Sequence, residues 1–137
     1  MKKIILFSAF AIVTLVQISC KKDSSEIPTM PIDASLFLGE YSTVIVNNSN
    51  GYTTGSFTST ISAGENAAQF NVYPFLGLNI NLKVNMLDPF GKNLKIVSYT
   101  FSGTYLIEGT GSITNSGRTI VLNCTYSTYN YTSTYTR

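Results

Sequence analysis

Asn79-Ile80-Asn81-Leu82-Lys83-Val84-Asn85-Met86-Leu87 is the stretch on which the reading of the fold turns. Ile80, Leu82, Val84 and Met86 alternate there with Asn79, Asn81, Lys83 and Asn85. A strict period of two puts the apolar set on one face of a pleated strand and the polar set on the other. A lone strand cannot bury its apolar face, so neighbouring segments must supply the rest of a sheet.

The neighbours have the composition for it. From Leu36 onward the chain is rich in Thr, Tyr, Val, Ile and Phe, types that fit a pleated, half-buried surface. Upstream, Phe37 to Asn47, Gly55 to Ala63 and Ala68 to Tyr73 read as strands, parted by Asn48-Ser49-Asn50-Gly51 and Gly64-Glu65-Asn66. Downstream come the turn Asp88 to Asn93 and the strands Leu94 to Phe101, Thr104 to Ile113, Thr119 to Ser127 and Tyr131 to Thr136. Apolar residues at helix spacing are sustained nowhere in this region. The expectation is an all-β domain of roughly eight short strands. Short hairpin links predict up-and-down order, and closing the antiparallel sheet into a β-barrel removes its edges; a β-sandwich is the alternative.

The start of the chain is of another kind. Lys2 and Lys3 precede an apolar run from Ile4 to Ile18, broken only by Ser8, Thr14 and Gln17 and ending at Ser19-Cys20. That order of basic, apolar and small residues is the layout of a secretory signal peptide. The run is too short for a membrane span, which needs roughly 20 apolar residues to cross about 30 Å. Gln17-Ile18-Ser19-Cys20 resembles the lipobox of bacterial lipoproteins, whose cysteine receives diacylglycerol, with Gln17 where leucine is usual. The resemblance implies a signal peptide over residues 1–19, lipid attachment at Cys20, and a membrane anchored through palmitate-type chains. Several acyl chains hold stably where one is marginal. Lys21 stands where Asp would retain such a protein, which by the same resemblance points to the outer membrane of the cell envelope. Lys22, Asp23 and Glu26 resemble tags for surface display.

Residues 20–34 then form an expected tether, aperiodic and carrying Pro28 and Pro31. Asp33 to Leu36 can open at most one short turn. The domain is expected over 35–137.

The chain carries a formal +2, but without Lys2 and Lys3 it has seven basic against seven acidic residues. No basic stripe remains, so nucleic acid is not an expected partner. With Cys20 lipidated, Cys124 has no disulfide partner and reads as a small buried apolar group.

Phe37-Leu38-Gly39-Glu40-Tyr41 resembles the opening strand of lipocalin-like (calycin-like) barrels, where Gly-x-aromatic begins the first strand. Leu94 to Ser98, Gly109 to Ile113 and Thr119 to Leu122 continue a resemblance to small lipocalin-like bacterial lipoproteins. No C-terminal helix pattern follows. Arg137, at the extreme end, is a poor counterpart of that family's late-strand arginine. A resemblance of fold does not bring a ligand with it.

The residues that carry chemistry are few. The chain has no His and no Cys cluster, so no metal or cofactor is expected. Without His, a nucleophile would need Asp, Glu, Lys or Tyr as its base. Glu40 and Glu108 are the one carboxylate pair with strand positions that could meet across a barrel; two solvent-facing strand carboxylates are the plainer expectation. Gly109-x-Gly111 precedes no helix and is not a phosphate loop.

What stands out is aromatic. Tyr126, Tyr129, Tyr131 and Tyr135 crowd the last hairpin, with Tyr99, Phe101 and Tyr105 upstream. Tyr99, Phe101, Tyr105, Tyr126, Tyr131 and Tyr135 are the candidate ligand-binding residues, because tyrosine offers a sugar or an apolar ligand a flat face with a hydroxyl. Cross-strand packing of the terminal hairpin explains the same cluster without a ligand. The sequence therefore points to a non-enzymatic, outer-membrane-anchored barrel that binds a small apolar or sugar ligand or an envelope protein partner. Its rival is an accessory subunit with a filled barrel. An open lumen above roughly 300 Å³ would favour the ligand.

Overall fold

The computed structural model describes residues 31–137. The expected signal peptide, Cys20 and the tether as far as residue 30 lie outside the described residues. Ten strands run in chain order: β1 (Gly39–Asn47), β2 (Tyr52–Thr53), β3 (Phe57–Ala63), β4 (Gln69–Tyr73), β5 (Leu82–Met86), β6 (Leu94–Ile96), β7 (Tyr99–Phe101), β8 (Tyr105–Thr114), β9 (Thr119–Tyr126) and β10 (Tyr129–Thr136). Short 3-10 turns occupy Ala34–Phe37 and Asn115–Gly117.

Eight of the strands form a closed antiparallel barrel in the order β1-β3-β4-β5-β6-β8-β9-β10. Pairing of β1 with β10, from Ser42↔Thr136 to Asn47↔Tyr131, closes it. The order is up-and-down, as the short turns predict, because each turn returns the chain beside the strand it has just left. β2 is an extra pair on β1, and β7 an extra pair on β8.

Two expected strands are cut short for visible reasons. Leu94 to Phe101 breaks at Val97-Ser98, so that β6 pairs with both β5 and β8 whereas β7 pairs with β8. The alternating stretch enters the sheet only at Leu82. Before that, Phe75 N–H donates to Ile80 O at 3.2 Å and Leu78 N–H to Phe75 O at 2.9 Å, so the backbone around Ile80 is spent on a local loop. Ile80 still buries its side chain.

The alternation sends one residue in two into the lumen. Phe70, Phe75, Val72, Leu82, Ile107 and Leu122 are fully buried there. On β8 the lumen positions Gly109 and Gly111 are glycine because β9 crosses too near. A Cβ at Gly109 would stand 2.0 Å from Asn123 O, and one at Gly111 would stand 2.3 Å from Val121 O.

One end of the barrel is sealed. Asp33 Oδ1 caps the first 3-10 turn by accepting from Ser35 N–H at 2.9 Å. Ala34, at the last position of the expected tether, is buried and donates its N–H to Ala67 O at 2.7 Å. Met86 N–H donates to Ala68 O at 2.8 Å and Ile113 N–H to Gly91 O at 2.7 Å, so the loops of this end are laced into a ring.

Tyr41 stands at the centre of that ring. Its Oη reaches Phe37 O at 2.9 Å and Gly117 O at 3.1 Å. Arg137 lies over the Tyr41 ring, 5.3 Å from its centroid, and its Nη1 donates to Leu38 O at 3.0 Å. The β1–β10 register, with Thr136 opposite Ser42, carries Arg137 to the foot of β1.

Candidate functional site

The other end holds the loops after β1, β4, β7 and β9, and it is open. Beneath it lies a cavity of about 260 Å³ lined by Ile45, Asn47, Tyr52, Leu76, Tyr126 and Tyr131, with Thr54 and Leu78 completing the wall. It falls a little short of the roughly 300 Å³ at which pockets for drug-sized ligands begin.

Each wall residue is set by local structure. Ile45 and Asn47 are the last inward positions of β1. Thr54 Oγ1 accepts from Ile45 N–H at 3.0 Å and ties the β2 segment back over the strand. Asn47 holds the turn beyond it: Oδ1 accepts from Ser49 N–H and its carbonyl from Gly51 N–H, at 2.9 and 2.8 Å. Leu76, with φ near 51°, and Leu78 hang inward from the loop after β4.

Three aromatic contacts centre on Tyr126. Tyr105 meets it edge-on at 5.5 Å and Phe101 at 6.3 Å, while Tyr131 lies tilted at 6.4 Å between centroids. Burial raises the Tyr131 hydroxyl pKa, and the neighbouring Tyr129, Cys124 and Tyr126 push it the same way. At neutral pH the hydroxyl is therefore a donor.

The six candidate aromatics thus divide by depth. Tyr126 and Tyr131 wall the cavity, and Phe101 and Tyr105 brace Tyr126 from behind. Tyr99 sits apart, lining a separate groove with Asn81, Lys83, Val97 and Ser98. Tyr135 is fully buried two positions below Ser133 on β10 and is packing rather than wall. Sequence reasoning missed Ile45, Asn47, Tyr52, Leu76 and Leu78, since only the closing of β1 onto β10 and the inward loop bring them to the rings.

Below the cavity the lumen is packed but not wholly apolar. Thr43 Oγ1 donates to Ser59 Oγ at 2.8 Å, and Ser59 Oγ donates to Pro74 O at 3.2 Å. Ser133 Oγ and Tyr135 Oη lie near each other, and neither meets a partner in hydrogen-bond geometry. Cys124 is buried and unpaired, and burial pushes its thiol up to about 12. A thiol so held is a packing group, not a nucleophile. Glu40 and Glu108 both lie exposed on the outer wall, with β10 and β9 between their strands, and they do not meet across the lumen. Among the described residues no group of three or more His, Cys, Asp or Glu converges.

Fold and site together define a small closed antiparallel barrel, sealed at one end, with an aromatic-walled cavity under the other. Neither a known protein family, nor a curated protein, nor a solved structure matches the chain.

Proposed function

We propose that this chain is a lipid-anchored, lipocalin-like lipoprotein of the outer membrane that binds one small ligand in the mouth of its barrel, without catalysing a reaction. The cavity walled by Tyr52, Tyr126 and Tyr131 with Ile45, Leu76 and Leu78 carries the reading. Aliphatic side chains and ring faces favour a ligand with an apolar face, and the Tyr131 and Tyr126 hydroxyls suit one with a polar edge. The volume sets the size at a single ring, such as a monosaccharide or a small phenol.

Further support comes from the sealed end. Gly39 and Tyr41 open β1 as the resemblance to lipocalin-like barrels implies, and Arg137 covers the Tyr41 ring. The anchor rests on Cys20 and the apolar run before it. The lower lumen, filled by Phe70, Phe75 and Tyr135, speaks for the rival accessory subunit; the aromatic-walled cavity above that packing supports a ligand, one smaller than the roughly 300 Å³ class.

Two measurements test the reading. Saturable binding of monosaccharides or small phenols, followed by tyrosine fluorescence, should weaken about tenfold or more in Tyr131→Ala, in keeping with the loss of an aromatic contact. Absence of saturable binding across both classes removes the ligand. Acyl labelling of wild type beside Cys20→Ala tests the anchor, and an unlabelled wild type removes it.

A further inference from the structure

The two ends of the barrel expose different apolar side chains. The open end shows tyrosines: Tyr52, Tyr73, Tyr99, Tyr105 and Tyr129, together with Leu106 of the β7–β8 hairpin. Among the described residues the sealed end shows no exposed tyrosine. Its exposed apolar groups are Leu36, 68 % accessible, and Leu87 and Phe90, each 58 % accessible. All three sit on the laced ring: Leu36 in the 3-10 turn joined to Ala67, Leu87 beside Met86, and Phe90 in the turn that Asp88 organises. Lys92 lies over the Phe90 ring at 5.9 Å. A side chain with no polar atom gains nothing from water, and a ring of them at one pole is not required by the core beneath.

The chain also enters at that pole. Pro31 to Ala34 lead into the sealed end, and Cys20 stands eleven residues before Pro31. Eleven residues reach at most ~36–40 Å. β8, ten residues long, spans ~33 Å along its own direction and so roughly 25 Å along a barrel axis tilted in the usual range. Setting the mouth against the membrane would commit most of that reach to running back along the barrel wall. Setting the sealed end there needs almost none.

We propose that the sealed end rests on the lipid surface, with Leu36, Leu87 and Phe90 entering the interfacial region, so that the mouth opens away from the membrane. This rests on the lipid anchor at Cys20. Asp33, Glu40, Glu65 and Asp88 nearly offset Lys83, Lys92, Lys95, Arg118 and Arg137 around this end, so the contact is mainly apolar rather than electrostatic. It therefore holds on neutral phosphatidylcholine as on vesicles carrying phosphatidylglycerol, and in low salt as in high.

The full lipidated chain provides the test. Cys20 is acylated and Cys124 is buried with its thiol pushed up to about 12, so a new surface cysteine takes a maleimide dye alone. Dyes are placed by Leu36→Cys and Phe90→Cys at the sealed end, and by Tyr52→Cys and Tyr129→Cys at the mouth. In vesicles bearing nitroxide on the lipid chains, the sealed-end dyes should be quenched about threefold more than the mouth dyes, as for side chains buried at the interface. Leu87→Asp should abolish that difference while leaving the fold, since Leu87 is exposed. Equal quenching at both ends, or stronger quenching at the mouth, overturns the orientation. Flotation with the vesicles, compared with Cys20→Ala, reads the anchor separately. Loss of flotation only in Cys20→Ala upholds the anchor whatever the dyes report. Unaltered flotation in Cys20→Ala overturns the anchor and the orientation with it.

Discussion

Tyr41 and Tyr135 are both buried in the barrel, and replacing each with Phe should give opposite results. Tyr41 Oη serves two carbonyls, Phe37 O at 2.9 Å and Gly117 O at 3.1 Å, which belong to the two loops that seal the barrel. Phe keeps the ring and its contact with Arg137 but removes the one hydroxyl hydrogen those carbonyls share. Leaving a buried acceptor without its donor costs ~1–3 kcal/mol, so Tyr41→Phe should lose about 2 kcal/mol. For a domain of this size that lowers Tm by about 10 °C. Tyr135 is just as buried, yet its Oη lies near only Ser133 Oγ, outside good hydrogen-bond geometry. Its hydroxyl has given up water for at most that poorly aligned contact, so Tyr135→Phe should change stability by less than ~0.5 kcal/mol or raise it. Urea denaturation followed by circular dichroism, with unchanged m-values, measures both. Should Tyr135→Phe lose as much as Tyr41→Phe, or Tyr41→Phe prove neutral, the reasoning from partner geometry fails.

Gly109→Ala should destabilise by at least ~2 kcal/mol in the same denaturation assay, because its Cβ meets the backbone of β9 and not a movable side chain. Alkali should weaken the fold from about pH 9 upward. The folded state keeps the Cys124 proton to about 12 while the unfolded thiol releases it near 9, so stability present below 9 falls by roughly 1.4 kcal/mol per pH unit above it. Thermal melts of Cys124→Ala should lack the part of the loss that begins there. On the acid side, desolvation would raise the Asp88 carboxyl, yet backbone N–H bonds from Lys92, Asn93 and Phe90 hold it below its ordinary value. Its contribution is therefore present above about pH 4 and lost as pH falls below that, and melts of Asp88→Asn should show a smaller acid loss than wild type.

Alternation and turn residues made the strands legible, because a period of two and an Asn-Gly or Ser-Gly pair act within a few residues of themselves. Ile80 to Met86 announced a buried face whatever lay opposite it, and the glycines of β8 lay in a segment already read as a strand. The aromatic cluster was equally plain as composition. Its division was not: Tyr126 and Tyr131 face a cavity, Tyr135 fills the lumen and Tyr99 lines a separate groove with Asn81 and Lys83, although all four lie on strands read correctly as strands.

The chain alone therefore determined an all-β body and its up-and-down order, since both follow from local patterning and short connections. Only the closed tertiary structure decided where the cavity lies, why Gly109 and Gly111 are glycine, and that Arg137 covers Tyr41. Those outcomes depend on β10 returning to β1 in one particular register, a pairing between residues almost the whole domain apart. A local pattern cannot state such a register; it is fixed when every inward side chain must share one lumen at once.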